Sequence, residues 1–402
     1  SLGTTRHSRG RCAIAVPGTG GACLAVGGIR LDRGMPTADE LLSAAAVRGL
    51  IDCLAVAAPE RRPTALRRAV AELPGQALAE RARAVRDALL TDLPGGFQQF
   101  AAVVHRALDD PAFTGWMTWP VTEAVAVLAT GPDSGTDAFE SGLELLARLT
   151  TRLTGEFAIR TFLDSDLDRT LAVVKGWTAH PDEHVRRLAS EGTRPRLPWA
   201  RRVRAILARP DAVIPVLDAL YRDPSDYVRR SVANHLNDIS RAEPGLAADT
   251  ARRWLHEPDA HTEALVRHAM RTLVKAGDPA ALGLLGFAPP AHITVTGFAV
   301  TAATVRIGGE LSFDFSLRNN GAEPIRLAID YVIHHRKANG ALTPKVFKLT
   351  TRTLEPGGGT TIARTHSFRP ISTRRYYPGE HAIEIQVNGT RHGRREFVLV
   401  TT

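Results

Sequence analysis

HPDEHVRRLASE at residues 180–191, DPSDYVRRSVAN at 223–234 and EPDAHTEALVRH at 257–268 are three copies of one pattern. Each opens with His, Asp or Glu before a proline, continues through a short acidic turn, and runs into a helix. The first two share a Val-Arg-Arg start. Prolines 181, 224 and 258 lie 43 and 34 residues apart. That period and content mark paired-helix repeats of the HEAT type, in which stacked units bury one continuous core.

Outward from these copies, residues 38 to about 288 read as helix almost throughout. Leu78, Ala82, Val85 and Leu89 recur at spacings of four, three and four, one apolar face of a helix. Val213, Val216, Leu217 and Leu220 repeat the device. Pro74–Gly75, Pro94–Gly95–Gly96, Gly131–Pro132, Pro210 and Pro244–Gly245 punctuate the run. After Phe287 the pattern changes, and Pro289–Pro290 reads as a linker. Beyond it Leu311, Phe313, Phe315 and Leu317 alternate with Ser312, Asp314, Ser316 and Arg318, then Asn319–Asn320–Gly321 turns the chain. Ile383, Ile385 and Val387 alternate likewise before Asn388–Gly389. Period two closed by such turns means half-buried antiparallel strands, and residues 291–402 suit a seven-strand immunoglobulin-like sandwich. The expected fold is a HEAT-like α-solenoid over 35–288 followed by that β-sandwich.

The chain has 402 residues, 44% hydrophobic and 23% charged, an ordinary globular mix. Its net charge of +9 sits on the ends. Lys and Arg against Asp and Glu number 5 to 1 in residues 1–34, 31 to 33 in 35–290, and 15 to 8 in 291–402. A basic domain beside a neutral one suggests a polyanionic partner. Cys12, Cys23 and Cys53 have no zinc spacing and make no disulfide framework, which points to a reducing, cytoplasmic setting. No segment has the length and apolarity of a membrane span. The stretch 12–29 is weakly like a signal peptide, but Pro17 and five glycines break it. The same glycines make no phosphate loop, since no GK[ST] follows. Residues 1–34 are expected to be a disordered tail or an upstream extension, with folding beginning near Met35.

Candidate chemistry gathers on the repeats. On the helix from Tyr227, Val228, Val232, Leu236 and Ile239 form the buried stripe, and Tyr227, Ser231, Asn234 and Asp238 form a flank. Aligning Val185 with Val228 puts Glu191 where Asn234 stands, so Glu191 and Asp238 should share one surface, with Arg187 four residues before Glu191. Eight arginines between 182 and 209 surround these acids. Carboxylates facing a phosphate backbone weaken binding, so they make sense facing a cation. The alternative is that each pairs with a neighbouring arginine. Glu156, after Thr154–Gly155, fits equally an acid placed near a helix N-terminus. His184 and His235 lack the company of a metal site and read as surface residues or phosphate partners. Trp116, Trp119, Trp177 and Trp199 could stack on bases or pack in the core, with Trp199 the best groove candidate.

SEGTRPRLPWARR (190–202), TGEFAIRTFL (154–163) and RRSVANHLNDIS (229–240) resemble, in that order, segments of the AlkC family of alkylpurine DNA glycosylases. The resemblance covers about 35–290, and the β region is similar to the immunoglobulin-like domain of one branch. It implies a DNA glycosylase acting on duplex DNA with cationic alkylated bases such as 3-methyladenine, without base flipping. It implies catalytic acids at Glu156, Glu191 and Asp238, and DNA contacts from Arg187, Arg194, Arg196, Trp199, Arg230 and Asn234. No metal or organic cofactor is required, and the protein is expected to be a monomer. The alternatives are a non-enzymatic repeat scaffold and a protein that binds damage without cutting it.

Overall fold

The computed structural model describes residues 37–401 apart from 133, 199, 372 and 373. The reading of residues 1–34 falls outside that set. The described residues form two compact units, 37–125 with 196–201, and 126–195 with 202–401. None of their helices is long and apolar enough to cross a membrane.

In the first unit, helices Ala44–Ala57, Thr64–Glu72, Leu78–Asp92 and Gly96–Ala107 follow one another. The apolar face read at 78–89 is real, with Ala82, Val85 and Leu89 buried. Ser43 caps the first helix by accepting from the Ala46 amide at 3.0 Å. Asp92 accepts from the amides of Ala65 and Leu66 at 2.9 and 2.8 Å, so the end of one helix caps the start of another.

In the second unit the three patterned segments become helices Glu183–Glu191, Asp226–Ile239 and Thr262–Ala269. They pack side by side in that order. The acidic turn residues are caps: Asp182 accepts from the His184 amide at 2.7 Å, and Asp259 from His261 at 2.8 Å. The first arginine of each Val-Arg-Arg has one job in both copies. Arg186 donates to the carbonyls of His180 and Pro181, both at 2.9 Å. Arg229 donates to those of Asp223 and Pro224 at 2.6 and 2.9 Å. Each thereby closes the proline turn of its own repeat. Arg186 also holds Asp223 through two nitrogens, at 2.7 and 3.1 Å, joining one repeat to the next.

The β region has eight described strands where seven were expected: β1 (Ile293–Val300), β2 (Thr304–Arg306), β3 (Glu310–Asn319), β4 (Ile325–Arg336), β5 (Leu342–Leu354), β6 (Gly359–Ser367), β7 (Gly379–Val387) and β8 (Thr390–Val400). They make sheets of order β1-β3-β6 and β2-β8-β7-β4-β5. The added strand is β2, three residues paired parallel to β8, too short to show alternation in sequence. Leu311, Phe313, Phe315 and Leu317 point inward together with Ile383, Ile385 and Val387. Asn388 and Gly389 have φ of 42° and 79°, as a two-residue β7–β8 hairpin demands.

This domain is fastened to the end of the helical run. Asn388 Nδ2 donates to the Ala288 carbonyl at 2.7 Å, Gln386 Nε2 to that of Lys275 at 3.1 Å, and Arg326 Nη1 to that of Leu285 at 3.0 Å. Leu282, Phe287 and Ala328 share a small apolar cluster there. The segment read as a linker is therefore packed and hydrogen-bonded.

Candidate active site

Glu191 ends the first repeat helix and Asp238 lies in the last turn of the second, as the aligned positions predicted. Glu156 comes from the turn before helix Ile159–Ser165. Two arginines join the three acids into one chain. Arg187 Nη1 is 2.6 Å from Glu156 Oε2, and its Nη2 is 3.5 Å from Glu191 Oε1. Arg194 Nη1 is 2.6 Å from Glu191 Oε1, and its Nη2 is 2.8 Å from Asp238 Oδ2. The order is Glu156–Arg187–Glu191–Arg194–Asp238, and all five side chains are buried.

Three of the candidates lie in buried surroundings. Arg187 and Arg194, read as DNA-facing, are each 7% exposed and bound between two carboxylates. Burying acids this close requires counter-charge, because an unpaired buried carboxylate is far costlier than a paired one. His235, read as a surface or phosphate-contacting residue, is fully buried, its Nδ1 2.9 Å from the Ser190 carbonyl. Burial drives its imidazole down to about 3, with Arg194 adding to the effect, so the ring is neutral. The reading of acids as arginine partners also holds, since every one of the three carboxylates pairs with an arginine.

The surroundings bias the acids differently. Glu191 is buried, which opposes its charge, but Arg187, Arg194 and a 2.6 Å hydrogen bond from Ser231 Oγ outweigh this and hold it below the ordinary carboxylate range. Burial raises Glu156, with Arg187 opposing and the negative Glu191 adding to the rise. Burial raises Asp238 as well, against the pull of Arg194. Among the described residues, Glu156 accepts side-chain hydrogen bonds only at Oε2, from Thr154 at 2.9 Å and Arg187. Asp238 accepts only at Oδ2. The other oxygen of each takes no side-chain hydrogen bond among the described residues.

Of the remaining sequence candidates, Arg230 is exposed and pairs with Asp226 at 2.7 Å. Asn234 is half-buried, with its Oδ1 3.0 Å from Arg271 Nη2 and 2.9 Å from His268 Nε2. Arg196 is half-buried and belongs to the first compact unit, whereas the acids belong to the second. Trp199 lies outside the described residues. Trp119 and Trp177 are core residues, and His184 is an exposed edge against Tyr227. Sequence reading missed Arg160, whose Nη1 donates to the Arg194 carbonyl at 3.0 Å and holds the loop that delivers Arg194. Its place inside TGEFAIR was the available signal.

Residues 294–401 match the family model described as the C-terminal immunoglobulin-like domain of the uncharacterised protein YhaZ. The chain is 38% identical over 251 residues to the uncharacterized protein YhaZ of Bacillus subtilis (strain 168), covering 62% of this chain and 70% of that protein. It is 34% identical, with a TM-score of 0.81, to the solved structure of Pseudomonas fluorescens alkylpurine DNA glycosylase AlkC bound to DNA containing an abasic site analog. That match covers 91% of this chain and all of the other.

Proposed function

The chain belongs to the AlkC family, and from that premise we propose that it is a DNA glycosylase that hydrolyses the N-glycosidic bond of cationic alkylated bases, such as 3-methyladenine, in duplex DNA. The observation that carries the reading is the buried chain of three acids and two arginines. The acids come from three separate segments, and two of them keep an oxygen that takes no side-chain hydrogen bond among the described residues.

A base alkylated at N3 or N7 carries positive charge. It needs no general acid, because the electron pair of the breaking C1′–N bond neutralises it as it leaves. The cost of the step lies on the sugar, where an oxocarbenium ion forms. The oxygen of Asp238 that takes no hydrogen bond supplies negative charge for that ion from a buried position, where such charge acts strongly. Water then adds to C1′ and gives up a proton to a carboxylate, so the products are an abasic sugar and a neutral base. This is glycosidase logic without the proton donor. Arg187 and Arg194 keep the acids charged and fixed in place. An attack on the cation alone has no need to flip the base out of the stack, and we infer that the lesion is processed where it lies. The test is incubation with duplex DNA holding one 3-methyladenine, followed by cleavage of abasic sites and strand analysis.

A further inference from the structure

Arg271, which no sequence pattern singled out, stands beside the acids without an acid of its own. It opens helix Arg271–Ala276 and is half-buried. Its Nη1 donates to the His268 carbonyl at 2.6 Å, and its Nη2 to Asn234 Oδ1 at 3.0 Å. His268 Nε2 meets the same Asn234 oxygen at 2.9 Å, so asparagine and histidine together aim the guanidinium. Arg271 makes no ion pair among the described residues. Its charged neighbours are Asp238, Arg194 and Arg241. In contrast, Arg186, Arg187, Arg194, Arg229 and Arg230 each hold a carboxylate.

Capping a helix end with an arginine is ordinary, and the His268 carbonyl is such an end. That role uses one N–H of the five a guanidinium carries. It does not explain why a half-buried cation is tethered next to two other arginines with no ion pair of its own among the described residues, its one acidic neighbour, Asp238, being held by Arg194. A bound anion would supply the missing charge. The position along the second repeat helix says which anion. Arg230, Asn234 and Asp238 follow at i, i+4 and i+8 on one stripe, exposed, half-buried and buried in turn. Asn234 and Asp238 are thus about 6 Å apart along the axis. Successive nucleotides of a strand advance by about 3.4 Å, so this is the span of one or two nucleotides.

We propose that Arg271, held by Asn234 and His268, is the seat of a backbone phosphodiester of the DNA strand and sets the lesion nucleotide over Asp238. The proposal rests on the glycosylase reading for its strand and its register, but its binding test does not need excision. Phosphate contacts position a protein without reading sequence.

The experiment measures binding of the full chain to undamaged duplex across a salt series. Arg271→Gln should weaken binding and make the log–log salt slope shallower by about 0.9. Arg271→Lys, which keeps the charge but loses the planar fork, should restore the slope with only part of the affinity. In single-turnover excision the glutamine variant should be slower at saturating protein and the lysine variant intermediate. A glutamine variant with the wild-type slope overturns the proposal, whether or not its melting temperature falls. Wild-type protein that shows the Arg271-dependent slope yet leaves 3-methyladenine in place supports the phosphate seat and overturns the glycosylase reading.

Discussion

Arg194 holds Asp238 with two nitrogens, Nε and Nη2, both 2.8 Å from Oδ2. Its third nitrogen reaches Glu191. A guanidinium spent in this way is a counter-ion for two buried acids, and its loss should appear in their ionisation. Arg194→Ala should raise the pH at which excision reaches half its plateau, because Glu191 and Asp238 lose the charge that opposes their protonation. Excision at neutral pH should fall and partly recover at higher pH. Breaking a buried pair should also cost about 3–5 kcal/mol of stability. The salt slope of DNA binding should stay at its wild-type value. A pH–rate profile beside a salt series checks this, and a flattened slope would return Arg194 to the phosphates.

Wild-type excision should itself carry an acid limb. Burial holds Asp238 and Glu156 above the ordinary carboxylate range. Both must ionise to stabilise a cation, so the rate should rise with pH through that raised range. Asp238→Asn should remove the part of the limb that belongs to Asp238. A rate independent of pH from 4 to 8 would contradict the assignment.

The helical run, the β region and the pairing of Glu191 with Asp238 were legible for separable reasons, whereas Glu156 came only with the family resemblance. Period and turn chemistry are local, so Leu311 to Leu317 and Asn388–Gly389 could be read directly. Glu191 and Asp238 were paired because equivalent repeat positions share a surface. Burial was not legible. Arg187, Arg194 and His235 look like exposed polar residues until the partner on the neighbouring helix is known. Arg186 and Arg187 are adjacent and chemically identical, yet one closes a turn and the other lies among acids. Arg271 escaped notice because its significance is the carboxylate it lacks.

Asp330, on β4, is buried with Lys348 and Lys275 as its charged neighbours, and burial raises its carboxyl to about 6. The folded state therefore binds a proton that the unfolded state releases at lower pH. Stability from this group falls as pH rises from about 4 to about 6 and stays low above that. Asp330→Asn should raise stability at pH 8 by on the order of 2–3 kcal/mol and change little at pH 4. Urea unfolding at the two pH values checks it. Equal effects at both would contradict the burial argument.

Gly389 is where the β7–β8 hairpin meets the end of the helical run. Its φ is 79°, and a Cβ there would lie 2.4 Å from Gly277 Cα. Gly389→Ala should destabilise the protein by about 2–3 kcal/mol or more, from left-handed backbone strain and the contact together. Asn388→Ala should also destabilise it, since the side chain bridges the Ala288 and Arg326 carbonyls. A Gly389→Ala protein with wild-type urea stability would show that the hairpin can move away from the helices.

In the proposed function, the Glu156–Arg187–Glu191–Arg194–Asp238 chain breaks a glycosidic bond. The most direct measurement is single-turnover release of 3-methyladenine from duplex DNA by wild type, Glu191→Gln and Asp238→Asn, with binding and melting measured on the same samples. Wild type should leave alkali-labile abasic sites. Each variant should lose about 10²–10³ in rate, roughly 3–4 kcal/mol, while binding duplex at least as tightly, since each has shed one negative charge. Folded variants that excise at the wild-type rate would remove these acids from the chemistry, and a wild type that leaves the lesion intact would overturn the glycosylase assignment.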